Sequence, residues 1–236
     1  DDAAKMGTGV LKGPVPTRKK YRSVTRDPQT GNLTLNLLEK ISPISKRIDP
    51  RNLFPDPACG DNIHNGSYLF ERDYLSRKKV EELGDQPKYL RSQLDKVLFE
   101  GPKWAGGELP GDQDKRDTNS KDLFEVWYFY GALPPDDMEA MGCPCRDDKG
   151  QKSQKPVQAV VTMINDCPVK AVRNHLDVGE FPYDVMCWQQ VSGRWAGIGV
   201  SRQIRTPQRV INAAARNLMD NAGLTSGPQI LVKLGV

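Results

Sequence analysis

The chain has 236 residues, 37% hydrophobic and 27% charged, a composition that supports a hydrophobic core without disulfides or a metal and excludes a low-complexity chain. Its 34 basic and 30 acidic residues leave a formal charge of +4, so charge alone gives no argument for nucleic acid, and no run approaches the roughly 20 apolar residues of a membrane-spanning helix. The start Asp1-Asp2-Ala3-Ala4-Lys5 lacks the apolar core of a signal peptide, so we expect a soluble, unexported protein; the missing initial methionine and the apolar end Ile230 to Leu234 point to an excerpt of a longer polypeptide.

The first element is a β-hairpin. The basic cluster Arg18, Lys19, Lys20 and Arg22 precedes a turn signal, Asp27-Pro28-Gln29-Thr30-Gly31-Asn32, and the stretches Tyr21 to Arg26 and Leu33 to Leu37 alternate apolar and polar residues around it. The cluster itself reads as a solvated strand face. Between Ile48 and Ser67, proline, glycine and asparagine recur, which predicts a long ordered loop held by its own aromatic contacts. Tyr68 to Arg72 predicts a short strand, and Ser76 the N-cap of a helix reaching Leu83, with Leu75 and Val80 as a hydrophobic staple and Gly84 as the stop. A second helix follows from about Lys88 to Phe99, with Leu90, Leu94, Val97 and Leu98 on one stripe before Gly101-Pro102.

Residues 101–121 are polar, charged and glycine-rich and predict a mobile linker. It divides an α+β segment over residues 1–100 from a β-rich segment over 122–236. In the second segment Leu123 to Tyr130 is strongly β-prone, a loop runs from Cys143 to Pro156, and Val157 to Ile164 and Val169 to Val172 form a strand pair about Asn165-Asp166. The last element is a helix capped by Thr206, with Pro207 in its first position and its end near Asn221 to Gly223. Val210, Ile211, Ala214, Ala215, Leu218 and Met219 share one face, and Arg209, Asn212, Arg216 and Asp220 the other. With Arg202 and Arg205 just upstream, the polar side reads as a solvent-facing basic stripe. No internal repeat appears. Together these elements predict an α+β fold of mixed small sheets with a few helices.

Motifs for chemistry are absent. Gly7 to Pro14 lacks the spacing and the Gly-Lys-Ser/Thr ending of a phosphate loop, and Gly193 to Gly199 lacks the dinucleotide fingerprint. The acidic pairs Asp112/Asp114, Asp136-Asp137 and Asp147-Asp148 fall in hydrophilic stretches without the strand-borne acid-plus-lysine pattern of a nuclease. His64 and His175 sit in turn-like contexts, without a nucleophile elbow for a triad. Five cysteines at irregular spacing, Cys59, Cys143, Cys145, Cys167 and Cys187, read as free thiols, and Cys143-Pro144-Cys145 is too closely spaced for a structural zinc pair. We therefore expect no catalytic residue, no metal and no cofactor.

One resemblance spans nearly the whole chain. Asp49-Pro50-Arg51-Asn52-Leu53-Phe54-Pro55-Asp56-Pro57 leads to Tyr68-Leu69-Phe70-Glu71-Arg72-Asp73-Tyr74-Leu75-Ser76, flanked by Gly7 to Pro14, Val126 to Gly131, Gly179 to Tyr183 and Trp195 to Val200. It ends with Gln203-Ile204-Arg205-Thr206-Pro207-Gln208-Arg209-Val210-Ile211-Asn212, Asp220 to Gly223 and Gly227-Pro228-Gln229. In this order the stretches resemble the portal proteins, or head-to-tail connectors, of tailed double-stranded DNA bacteriophages, above all the larger subunits of short-tailed phages. The resemblance implies a non-enzymatic, dodecameric ring at one capsid vertex of the virion, assembled in the host cytoplasm. Through that ring DNA is packaged and ejected, and onto it terminase, head-to-tail adaptors and scaffold or capsid proteins dock. It also implies that the chain is the middle of a larger, multidomain portal subunit.

Arg202, Arg205, Arg209 and Arg216 are then the candidates for facing DNA in the channel, passing non-specifically along a wall whose near-neutral charge lets it slide. Two competing readings remain. The acidic loops with Cys143 to Cys145 would serve a metal-dependent nuclease or terminase-like packaging component. The same four arginines would serve a simple DNA-binding module with a steep salt dependence.

Overall fold

The computed structural model describes residues 1–26, 33–103, 123–143, 155–174, 179–227 and 235, and the fold is α+β. In chain order the elements are α1 (Asp2–Met6), β1 (Thr8–Arg26), β2 (Leu33–Ile48), β3 (Leu53–Pro55), β4 (Tyr68–Ser76), α2 (Arg77–Gly84), α3 (Arg91–Glu100), β5 (Leu123–Leu133), α4 (Pro135–Ala140), β6 (Val157–Ile164), β7 (Cys167–Arg173), β8 (Tyr183–Cys187), β9 (Gln189–Val191), β10 (Arg194–Ile198), α5 (Val200–Gln203) and α6 (Arg205–Ser226). Strands β3-β4-β5-β6-β7 form an antiparallel sheet in that order, β2-β1-β8 a second, and β9-β10 a small ribbon.

Period-2 alternation gives the five-stranded sheet its two faces. Leu53, Leu69, Tyr130, Val126, Phe124 and Ile164 point to one face and are all buried. The β2-β1-β8 sheet covers one end of this face with Val10, Ile48 and Tyr183. Helices α2 and α3 cover the other end with Val80, Leu94 and Val97. On the opposite face α4 seats Met138 against Ala159, Val161 and Ala171.

The two sequence segments flanking residues 101–121 meet in this sheet: β4 pairs with β5 along its whole length, from Tyr68↔Gly131 to Ser76↔Leu123. Residues 104–122 lie outside the described residues.

Several elements depart from the expected bounds. The hairpin is far longer than Tyr21 to Leu37: its register runs from Arg26↔Leu33 down to Val10↔Ile48, with a shift between Lys12 and Val15. Pro16 lies directly opposite Pro43. Two opposed prolines fit a pair whose N–H positions point outward, and no third strand needs a donor there because β8 pairs only with Thr8 to Lys12.

The loop after β2 is held by side-chain caps on single helical turns rather than by its own aromatics. Asp49, Asp56 and Asn62 accept the N–H groups of Arg51, Ala58 and His64 at 3.0, 2.9 and 3.0 Å, and its rings Phe54 and His64 stack outward on Trp127 and Phe181.

Ser76 precedes α2 as expected, but its hydroxyl makes no cap bond; its backbone still belongs to the ladder with β5. Helix α3 starts at Arg91 rather than Lys88, which has φ 73°, while the Leu90 N–H donates to the Val169 carbonyl at 2.8 Å and covers the β7 edge. Helix α6 runs from Arg205 through Gly223 to Ser226, and the residue before it, Ile204, takes the place expected of Thr206. No helix among the described residues is long and apolar enough to cross a membrane.

Candidate functional site

A row of polar residues crosses the buried sheet face between its two apolar clusters. Glu71 of β4 faces Tyr128 of β5, which faces Thr162 of β6, which faces Lys170 of β7. Glu71 is 1% exposed at an inward position two residues after Leu69. The fold compensates the charge at once: Lys12 of β1 forms an ion pair with its Oε2, and the Tyr183 hydroxyl donates to the same oxygen. Lys12 and Tyr183 are themselves opposite each other across β1 and β8, so one carboxylate fastens two of the three strands of the second sheet to the first. The Lys12 ammonium also lies over the Tyr128 ring at 4.7 Å, Tyr183 at 5.2 Å and Tyr130 at 5.4 Å. At the far end of the row the Lys170 ammonium lies 4.4 Å from the Tyr89 ring centre.

The electrostatics favour one protonation state for this cluster. Burial disfavours the Lys12 ammonium, but the Tyr130 and Glu71 oxygens outweigh that and raise it above the ordinary lysine value. Burial, with Tyr130 and Glu71 beside it, pushes Tyr183 up, and burial likewise raises Tyr128. An amine held protonated and phenols held neutral neither attack nor take protons near neutral pH. The cluster is a structural pin. Sequence order hides it, since Lys12, Glu71 and Tyr183 are remote from one another, but a charged residue on the apolar face of a strand is its visible signal.

On the other sheet face Phe54, Phe70, Trp127 and Phe129 form a chain of ring contacts with centroids 5.0 to 6.3 Å apart. The Arg72 guanidinium sits among Phe54, Tyr74 and Trp127 at 5.5 to 5.8 Å. A shallow depression of about 600 Å³ adjoins them, lined by Phe70, Trp127, Met163, Lys103, Glu125 and Asn165.

The predicted channel residues lie elsewhere. Arg202 belongs to α5, and Arg205, Arg209 and Arg216 to α6. Successive steps of four and seven residues put the last three on one side of α6 with Asn212 and Asp220, opposite Val210, Ile211, Ala214 and Leu218. Both sides are solvent-exposed: α6 buries no side chain, and Val210 and Leu218 are 64% and 70% exposed.

The root of this helix is held by glycines. Gly199 caps α5, and a Cβ there would meet the Gly7 nitrogen and Lys5 oxygen at 2.7 Å and the Ala4 oxygen at 2.8 Å. The Gly197 N–H donates to the Thr8 hydroxyl at 2.8 Å, and the Trp188 N–H to the Gly7 carbonyl at 2.9 Å. Two remote glycine stretches thus cross backbone to backbone at the base of α5 and α6.

The remaining candidates do not converge. His64 Nδ1 accepts the Phe181 N–H at 3.2 Å, a loop-fixing role. Asp136 and Asp137 lie in the first turn of α4, where acids suit a helix N-terminus. His175, Cys145, Asp112, Asp114, Asp147 and Asp148 lie outside the described residues. Among the described residues no three His, Cys, Asp or Glu side chains are grouped to hold a metal, and Cys59, Cys143, Cys167 and Cys187 form no disulfide. No family model and no curated protein matches the chain.

Proposed function

We propose that this chain is part of a portal subunit of a tailed DNA phage, a structural wall element of the ring through which DNA is packaged and ejected. The observation that carries the reading is at α6. The closing stretch of family likeness, Gln203 to Asn212 followed by Asp220 to Gly223, falls largely on a 22-residue amphipathic helix without a buried side chain. A helix with an uncovered apolar face needs a neighbour, and a ring supplies one at every subunit. The small residues Ala214, Ala215 and Ala222 let that neighbour come close. In this reading Arg202, Arg205, Arg209 and Arg216 turn toward passing DNA, and terminase and head-to-tail adaptors dock on other parts of the larger subunit. The paired character of the buried Lys12, Glu71 and Tyr183 suits a conduit rather than an enzyme.

The test is assembly. The intact subunit is expected to form closed rings, of twelve copies in the family-like case, seen by native mass spectrometry and negative-stain electron microscopy. A strictly monomeric intact subunit at micromolar concentration overturns the reading.

A further inference from the structure

The positive charge of this chain is concentrated on one feature. The distal part of the β1–β2 hairpin, residues 15–26 and 33–44, carries Arg18, Lys19, Lys20, Arg22, Arg26 and Lys40 against the single acid Glu39, a net +5. The whole chain sums to +4, so everything outside this ribbon sums to −1. The fold sharpens the separation. The basic residues at the root of the hairpin meet carboxylates of the body: Lys12 meets Glu71, Lys46 meets Asp73 at 2.9 Å, and Arg47 meets Asp2. Further out, Lys20 pairs with Glu39 of the ribbon itself at 3.3 Å, both side chains exposed.

Register distributes these cations over the ribbon. Arg18, Lys20 and Arg22 alternate along β1 and share one face, at a repeat of about 6.8 Å for every second residue of an antiparallel strand. Lys19 and its partner Lys40 lie on the other face among Thr17, Ser23, Asn36 and Ser42. A flat protein partner would need cations on one face only. Cations lie on both faces: Arg18, Lys20 and Arg22 share theirs with Ile41, Leu37, Leu35 and Leu33, whereas Lys19 and Lys40 are interleaved with hydroxyl and amide groups that can bond phosphate oxygens, and this two-faced distribution suits a ligand that surrounds the ribbon with negative charge. The major groove of a DNA duplex does so and has the width to admit a two-stranded β-ribbon.

We infer that the distal β1–β2 ribbon is a sequence-independent binding arm for duplex DNA, contacting phosphates through Arg18, Lys19, Lys20, Arg22 and Lys40. It is a second basic surface, separate from the arginines of α6, and it stands whether or not the ring reading holds. The apolar row Leu33, Leu35, Leu37 and Ile41 is not assigned to this contact.

The experiment uses the full chain and a short fluorescent linear duplex, with anisotropy read across a range of NaCl concentrations. Each phosphate contact contributes about 0.9 to the slope of log affinity against log salt. The triple variant Arg18→Thr, Lys20→Thr, Arg22→Thr is expected to flatten the slope by about 2.7, three contacts at that value. The charge-keeping pair Arg18→Lys, Arg22→Lys should leave it unchanged. The helix variant Arg205→Gln, Arg209→Gln, Arg216→Gln should also keep the ribbon's share of the slope. Circular dichroism checks folding, and if the triple variant unfolds, the single change Arg22→Thr carries the test with a flattening of about 0.9.

An unchanged slope in a folded ribbon variant overturns the inference. So does equal competition by polyglutamate or by phosphatidylserine vesicles, which would assign the arm to an acidic protein or to a membrane. Rings that form while the ribbon variant binds DNA normally sink this inference alone. Ribbon-dependent binding by a subunit that stays monomeric sinks the portal reading alone.

Discussion

The body of the molecule and its two extensions follow different rules. In the body, three apolar clusters and the Lys12–Glu71–Tyr183 pin hold the sheets and helices together, and no buried side-chain polar atom among the described residues lacks a partner. In the distal hairpin and in α6, leucines, isoleucines and valines stay exposed, and order rests on backbone hydrogen bonds with a few exposed side-chain pairs such as Lys20–Glu39 and Gln208–Asn212. The body buries its apolar residues among its own elements, and the two extensions leave theirs on the surface. Charge follows the same division, since the basic residues at the hairpin root meet acids of the body, whereas further out Lys20 meets Glu39 of the ribbon itself.

That contrast predicts a steep gradient of mutational cost. The largest effect belongs to the pin. Glu71→Gln leaves the Lys12 ammonium at the sheet junction without its counterion and is expected to destabilise the chain by about 3 to 5 kcal/mol in urea or thermal unfolding. The double change Lys12→Met, Glu71→Leu should cost less than Glu71→Gln alone, because no charge is then stranded; a larger loss would mean that the pin is not acting through charge. Gly199→Ala comes next. Its Cβ would run into three backbone atoms, so a loss of about 1 to 3 kcal/mol is expected, with faster amide exchange at Gly197 and Trp188; a melting curve unchanged from the parent would remove the glycine crossing as an anchor. The smallest effect is expected on α6. Leu218→Ala should change the stability of the isolated chain by less than about 0.5 kcal/mol, and a drop well beyond that would show that the helix already packs on the body.

Much of the body was legible because it obeys local rules. Val157 to Ile164 and the turn at Asn165-Asp166, both at positive φ, follow from β-branched residues and turn chemistry, and the strand bounds agree with the reading. The apolar stripe of Leu94 and Val97 likewise marks the buried side of α3. The hairpin was seen only at its tip, since Pro14, Pro16 and Pro43 argue against a strand by local rules and are tolerated where no third strand asks for a donor. Helix α4 went unread, although Pro134-Pro135-Asp136-Asp137 is a serviceable helix start. The pin was invisible because pairing of Lys12 with Glu71 and Tyr183 is a property of register between two sheets, which no window of sequence contains. The arginines of α6 were correctly set opposite its apolar side, but exposure of both sides is a tertiary fact. The charge of the ribbon was on the page throughout; summing over the whole chain concealed it.

Beyond Gly13, whose N–H donates to the Pro182 carbonyl at 3.1 Å, the two long strands pair only with each other among the described residues, which makes the reach of the arm adjustable without disturbing anything beneath it. Shortening each strand by two residues would draw the tip back by about 7 Å and keep every side chain on its original side, whereas removing one from each would turn the whole outer half over. Length can therefore vary in even steps among relatives of such a protein while the rest of the architecture stays constant.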